Sequence, residues 1–228
     1  MNLPNHNAEI KNIHRLSIHI NLEYEECLKK IYPNRRQPND TLLKNIIHEA
    51  ENVVEPRSIY RVACVESMGS TGVKIDRIKF TSSLLPKKLY KYCVLFPFIL
   101  TLGQGLDKRI AASADSLLEQ YYLDQIGNIF LRNCAFFLES HLKRSYKINQ
   151  LSSISPGSLT DWPIEEQKAL FSLFGDTQDL IGVTLTPQML MIPKKSISGI
   201  FFPSQEKFIA CSLCSRKDCQ ERSVPCKC

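Results

Sequence analysis

The chain has 228 residues, 43% of them hydrophobic, which is enough for one domain with a sizeable core and too short for several. Its net charge of +6 is scattered over pairs such as Lys29-Lys30, Arg35-Arg36, Lys87-Lys88 and Lys143-Arg144, with no basic stripe and no interleaved aromatics, which argues against a nucleic-acid binder. Met1 to Glu9 is polar without a signal pattern, and the most apolar run, Cys93 to Leu102, is about half a membrane span; the expectation is a cytoplasmic protein with no membrane segment.

Residues 1–10 read as a flexible lead, residues 11–204 as one domain and residues 205–228 as a Cys-rich tail. Ile13 to Leu22 alternates apolar and polar side chains and predicts a strand. Pro33 to Pro38 breaks regular structure, after which Asp40 is placed to cap a helix carrying Leu42, Leu43, Ile46, Ile47 and Ala50 on one face and ending near Pro56. Ser58 to Glu66 and Val73 to Phe80 alternate again and read as a hairpin closed through Gly69-Ser-Thr-Gly72, with a phase slip between Ile75 and Ile78 that reads as a bulge. Cys93 to Gly103 is rich in β-branched and aromatic residues and predicts a buried strand, which Pro97 places at an edge or a bulge.

Two helices follow, Leu106 to Ala112 and Asp115 to Tyr146, the second apolar along Leu118, Tyr122, Ile126, Ile129, Asn133 and Phe137. Gly127 in its middle costs about 1 kcal/mol relative to alanine, so a close contact there, such as another backbone, is expected in compensation. Further on, Ser155 to Phe171 joins a tight turn to a helix: Pro156 fixes φ, Gly157 suits a left-handed conformation, and Asp161 is placed to receive N–H groups of a helix opened by Pro163 and Glu165-Glu166 and ended by Gly175.

The nine cysteines divide sharply. Cys27, Cys64, Cys93 and Cys134 lie singly in apolar segments and read as buried, reduced thiols. The rest crowd the tail as Cys211-x2-Cys214-x4-Cys219, then Cys226 and Cys228, an odd and asymmetric set that suits a reducing compartment and a metal centre rather than a disulfide framework. Cys211, Cys214, Cys219 and Cys226 would make four thiolate ligands, for zinc or for an iron–sulfur cluster, which spacing does not separate. The alternative is a tail of exposed thiols. The five histidines have no metal-ligand spacing, and no serine, cysteine or histidine constellation marks a hydrolase.

Taken as a whole string, Ser155 to Phe171, with Met191 to Ile200 and the closing cysteines, resembles the activation domain of cobalamin-dependent methionine synthase and its stand-alone relatives. Ser155, Pro156, Gly157, Asp161, Trp162, Pro163, Glu165, Glu166 and Gln167 match its turn; Thr101-Leu-Gly103 with Leu106-Asp107, Leu123-Asp-Gln-Ile-Gly-Asn128 and Pro193 to Ile200 are similar to its other segments. The resemblance implies an α+β fold, a single domain with an antiparallel sheet flanked by helices. It also implies a turn that contacts S-adenosylmethionine, with Ser155, Pro156, Gly157 and Asp161 as binding residues. Lys195, Ser196 and Ser198 would offer donors to a corrinoid; read alone, the same segment is equally a solvated edge strand.

The activity implied is assistance in the reductive reactivation of a corrinoid protein such as methionine synthase. The partner presents the cobalamin, an electron donor protein reduces cob(II)alamin to cob(I)alamin, and S-adenosylmethionine methylates the product. Three positions depart from the pattern: Ser153 where the family has arginine, Ser158 where it has tyrosine, and Arg132 where it has glutamate. Each lost charge-assisted contact costs about 1.5–3 kcal/mol, so together they would weaken the ligand by orders of magnitude, and S-adenosylmethionine binding is left open. The rival expectation is a non-catalytic docking partner of a corrinoid protein with a zinc-stabilised tail.

Overall fold

The alternating segments form strands, and their alternation decides which of two cores each side chain enters. The computed structural model describes residues 13–32, 40–214, 216, 219, 224 and 225. The expected lead at 1–10, the break at Pro33 to Pro38, the cap by the Asp40 side chain, and Cys226 and Cys228 lie outside the described residues. In chain order the elements are β1 (Ile13–Ser17), α1 (Tyr24–Ile31), α2 (Asp40–Val53), β2 (Arg57–Arg61), β3 (Ala63–Gly69), β4 (Gly72–Ile75), β5 (Ile78–Thr81), α3 (Leu84–Leu89), β6 (Val94–Thr101), α4 (Gly105–Ala112), α5 (Leu117–Ser145), β7 (Leu151–Ile154), α6 (Gln167–Ser172), α7 (Thr177–Ile181), β8 (Thr184–Leu185), β9 (Met191–Ile192) and β10 (Ser196–Pro203).

Eight of the strands make one antiparallel sheet centred on β6. On one side β6 pairs with β10, which pairs in turn with β7. On the other side β2 and β3 share it: Arg57 to Tyr60 lie opposite Thr101 to Phe98, while Ala63 and Cys64 lie opposite Leu95 and Val94. The ladder on that side lapses opposite Pro97. The expectation that Pro97 marks an edge or a bulge is therefore corrected: a proline, having no N–H, is tolerated in this central strand at the place where one neighbour hands over to the next.

Period-two alternation sorts the sheet residues into two cores. Tyr60, Phe96, Phe98, Leu100, Leu151 and Phe201 face α1, α2, α4 and α5. Ile59, Leu95, Ile99, Ile154, Ile200 and Phe202 face α3, α6, α7 and the turn that follows β7. With helices on both faces of an antiparallel sheet, the molecule is α+β.

Several local expectations are adjusted by tertiary contacts. The first strand stops at Ser17, because the Ile18 N–H turns to the Pro56 carbonyl (2.9 Å) and the chain enters α1. The Gly69–Gly72 hairpin closes as expected. The slip between Ile75 and Ile78 is no bulge: it is a second two-residue hairpin, with Asp76 (φ 42) and Arg77 (φ 69) both left-handed as that turn requires. The bulge falls instead in β3, between Val65 and Ser67. Arg61 pins this arm, its guanidinium 2.8 Å from Asp76 and donating also to the Leu173 carbonyl.

Helix α5 opens with Ser116, whose hydroxyl accepts from the Glu119 N–H, one residue after the expected start at Asp115. Its buried stripe includes Tyr122, Leu123, Ile126, Ile129, Phe130, Cys134, Leu138 and Leu142, whereas Leu118 is exposed. Cys27 and Cys134 are buried as expected, and burial pushes each thiol up to about 12. Cys64 and Cys93 are exposed, which corrects the reading of all four as interior, since both sit where β3 and β6 leave the sheet body. No helix among the described residues is long and apolar enough to cross a membrane.

Candidate functional site

The turn after β7 is built by one glycine and one tryptophan. Gly157 sits at φ 77, a left-handed conformation that favours glycine, and a Cβ there would lie 2.7 Å from Ile164 Cδ1, so the isoleucine would have to shift to admit one. Its N–H donates to the Trp162 carbonyl (2.8 Å), the Trp162 N–H to the Leu159 carbonyl (3.1 Å), and the Ser158 hydroxyl to the Ser155 carbonyl (2.6 Å). Trp162 is fully buried and meets Phe80 edge-on at 6.2 Å, which anchors the turn in the second core.

Asp161 does not cap a helix. Its carboxylate accepts from the Ser83 hydroxyl and its carbonyl from the Ser82 hydroxyl, both at 2.8 Å, while Glu166 accepts from the Thr81 N–H at 2.8 Å. Extended Pro163 stands at the cap position of the 3-10 turn Ile164–Glu166, so the aspartate two residues earlier is free to reach across to the β5–α3 connection. Helix α6 ends at Ser172, before Gly175, and Asp176 caps α7 instead, accepting from Gln178 and Asp179.

A groove of about 490 Å³ runs along this turn. Gly157 to Thr160 and Pro163 to Glu165 form one wall, and Leu213, Cys214 and Arg216 of the tail form the other. The tail reaches it along β7: the Ser204 N–H donates to the Gln150 carbonyl (3.1 Å), the Phe208 N–H to the Ser152 hydroxyl (2.7 Å), and Lys207 pairs with Glu139 at 3.2 Å. Phe208, Ala210 and Cys214 then pack against the second core. Cys211 lies in the 3-10 turn Ala210–Leu213 and Cys214 closes it, the Cys214 N–H reaching the Cys211 carbonyl at 3.3 Å. Among the described residues no group of three cysteines, histidines or carboxylates is arranged to hold a metal.

Of the residues named from the sequence, Gly157 lines the groove, whereas Ser155, Pro156 and Asp161 shape the turn beneath it. Of the three departures, Ser158 lines it too. Ser153 is exposed on β7 opposite Phe201, on the α5 side of the sheet, and Arg132 lies on α5 itself.

Lys195, Ser196 and Ser198 belong to a different place. They lie in or next to the first half of β10, which pairs with β6 alone, β7 joining only from Ile200; the segment is nonetheless buried rather than solvated. Lys195 is 8% exposed, and its ammonium donates to Asp124 Oδ1 and Asn128 Oδ1, both at 2.7 Å. Gly127 lies between those two on α5, and a Cβ there would come within 2.7 Å of Leu106 Cδ2 and 3.0 Å of Lys195 Cε. The close contact that compensates this glycine is thus a leucine and a lysine stem, not a backbone. Ser196 Oγ stands 2.8 Å from Thr101 Oγ1 and 2.7 Å from the Pro193 carbonyl, and the Lys194 N–H donates to Asp107 Oδ2 at 2.7 Å. Ser198 is also buried.

Three separate sequence segments, Thr101 to Asp107, Leu123 to Asn128 and Pro193 to Ser198, therefore close into one polar latch between β6, β10, α4 and α5. Asp124 and Asn128 were missed as partners of Lys195; their signal is a polar i, i+4 pair flanking a mid-helix glycine on a buried stripe.

No protein-family model matches the chain, and no curated protein matches it. Among solved structures it is similar to the crystal structure of the MetH reactivation domain bound to AdoHcy, with a TM-score of 0.59 and 12% sequence identity, over 87% of this chain and 81% of that one. At that identity the likeness establishes the fold: an α+β domain whose antiparallel sheet is flanked by helices, in the arrangement of a reactivation domain.

Proposed function

We propose that this chain is a reactivation-type domain of the cytoplasm that docks on a corrinoid protein, such as a methionine synthase, and assists its return from cob(II)alamin to cob(I)alamin. In this reading the turn groove is its site for S-adenosylmethionine, and an electron donor protein supplies the reducing step. The observation that carries it is a coincidence of place: the turn that matches the family's ligand-contacting string rims an open groove of about 490 Å³, in a chain with the reactivation-domain fold. Fold alone does not fix function, so the weight rests on the groove.

The residues present fit the ligand in part. Ser158 and Gly157 line the groove, but Ser153, Ser158 and Arg132 supply none of the arginine, tyrosine and glutamate contacts that the resemblance implies. Lys195, Ser196 and Ser198 are occupied within the latch, so in this reading they position the β10 segment rather than touch the corrinoid. For a metal, the described tail offers Cys211 and Cys214 in one turn, with Cys219 and Cys226 proposed to complete the set. An iron–sulfur cluster there would supply low-potential electrons; zinc would only hold the tail in place.

The test is spectroscopic. Anaerobically purified protein is mixed with a methionine synthase that lacks its own reactivation domain and is arrested as cob(II)alamin, together with a reductant and S-adenosylmethionine. Recovery of the methylcobalamin spectrum only when the chain is present is the expected result, and an unchanged cob(II)alamin spectrum sinks the reading. The internal occupation of Lys195, Ser196 and Ser198 favours a second reading, a non-catalytic docking partner with a zinc-stabilised tail. Stoichiometric zinc without acid-labile sulfide, with complex formation but no recovery, would select it.

A further inference from the structure

A second cavity, of about 380 Å³, opens at the other end of the sheet, where α7 lies over β1 and β2. In the strand row β1–β2–β6–β10–β7 it sits at the β1 end, whereas the groove follows β7. Arg15, Ser17, Arg57, Gln178, Asp179 and Gly182 line it. Arg15 lies opposite Ile59 and Arg57 opposite Ser17, so the two arginines are diagonal neighbours on one face of the sheet. Ile59, buried in the second core, makes that the face under α7. Such diagonal positions stand about 7–8 Å apart, within reach of long side chains.

The charge of this pair is not spent inside the chain. Arg15 has no hydrogen-bond or ion-pair partner among the described residues. Arg57 makes one ion pair, with Glu55 at 3.5 Å, between side chains 44% and 73% exposed, a contact for which water competes. Arg61, next along the same face, is by contrast consumed by Asp76 and the Leu173 carbonyl. Two left-handed glycines, Gly103 and Gly182, flank the Arg57 Nη2, where a Cβ would sit 3.8 and 3.7 Å away.

Two guanidinium forks ask for an anion with more than one edge. The two oxygens of a carboxylate saturate one fork, whereas a phosphoryl group, with three terminal oxygens and nearly two charges, can meet both. The rest of the ligand is set by Asp179, whose carboxylate also has no partner among the described residues; it would repel a bare anion and accept from hydroxyls. We infer that this cavity binds the phosphate ester of a small polyhydroxylated molecule, with Arg15 and Arg57 on the phosphoryl oxygens and Asp179 and Gln178 on the hydroxyls. Its volume falls in the range of small-molecule sites, about 300–1,000 Å³. The cavity shares no residue with the groove, so its ligand is independent of the function proposed above.

The experiment is a calorimetric titration of the full chain with ribose 5-phosphate, inorganic phosphate and ribose. The wild type should bind ribose 5-phosphate most tightly, inorganic phosphate more weakly and ribose not at all. Arg15→Gln and Arg57→Gln should each weaken ribose 5-phosphate about 10- to 100-fold, with Arg57→Lys recovering part of the loss. Asp179→Asn should weaken ribose 5-phosphate about 10-fold yet tighten inorganic phosphate, a pair of opposite shifts that misfolding does not produce. All three side chains are exposed, and an unchanged far-ultraviolet dichroism will show that the variants fold. Wild-type affinity in both arginine variants, ribose bound as well as its phosphate, or no binding of ribose 5-phosphate at millimolar concentration would each overturn the inference. Inorganic phosphate bound as tightly as the ester, with Asp179→Asn tightening both, overturns it in favour of a bare anion. Retention on phosphatidylglycerol vesicles that is lost in the arginine variants supports it and makes the ester a lipid headgroup; ribose 5-phosphate bound without such retention supports a free one.

Discussion

The latch at Lys195 and the groove at Gly157 are made of residues that match the same family, yet they use their polar groups in opposite ways. In the latch the lysine ammonium, the Asp124 and Asn128 oxygens and the Ser196 and Thr101 hydroxyls answer one another over distances of 2.7 to 2.8 Å. In the groove the Glu165 carboxylate stands on an exposed wall beside an apolar lining, with no partner among the described residues. A matched residue whose hydrogen bonds are consumed inside the chain is evidence about architecture. Only one with bonding capacity left over, directed into open space, is evidence about a ligand.

That contrast can be broken by substitution. The largest effect is expected at the anchor beneath the groove: Trp162→Ala removes a fully buried indole and should cost about 3–5 kcal/mol in chemical denaturation. Trp162→Phe should cost under about 1.5 kcal/mol, because the indole Nε1 is buried with no partner among the described residues and its loss leaves no broken bond.

Next come the latch variants. Gly127→Val drives methyl groups against Leu106 and Lys195 and should destabilise by about 1–3 kcal/mol despite the better helix propensity. Lys195→Met keeps the buried stem but leaves Asp124, whose side chain is 50% exposed, to solvent, so its cost should sit near the lower end of about 1–3 kcal/mol. Because Gly127 and Lys195 share one contact, the double variant should be less destabilised than the sum of the two, and strict additivity would mean that the latch is not a unit.

Smaller still is a proton-linked effect. His141 is held below its ordinary value, first by burial and then by Arg144 and His14, beside the Tyr60 hydroxyl at 3.3 Å. The fold thus prefers the neutral ring, and the unfolded chain binds more protons just below pH 6.5. Its stabilising contribution is present above that pH and is lost as pH falls from there towards the folded value. Melting temperatures from pH 7 to pH 5 should drop less for His141→Asn than for the wild type, and parallel curves would remove the assignment. Last, a brief treatment with iodoacetamide at pH 8 should label Cys64 and Cys93 and spare Cys27 and Cys134, as mass spectrometry of the native protein will show.

Much of the sheet was legible because alternation survives wherever a strand has one wet or one distinct face. The errors came from rules that assume an unbroken neighbourhood. Pro97 suggested an edge because a continuous partner was assumed on both sides, whereas the partner changes there. Helix α3 was hidden by Pro86, yet a proline in the first helical turn gives up an N–H that has no intrahelical acceptor anyway. Helix α1 was missed because it buries little beyond Cys27 and Ile31 and is otherwise polar. At the candidate site the turn was readable from Pro156 and Gly157 alone. That Arg216, some sixty residues later, shares its groove was not, because only the path of the tail along β7 brings the two together.

The handover opposite Pro97 also has a mechanical meaning. The arm made of β3, β4 and β5 is bolted to the rest of the sheet by Ala63 and Cys64 against Leu95 and Val94, and by the Arg61–Asp76 pair. Its far end, Thr81 to Ser83, is what grips Asp161 and Glu166. The wall of the groove is therefore held from two directions, by the chain leaving β7 and by the far end of an arm whose Val73, Ile75 and Phe80 share the second core with Trp162.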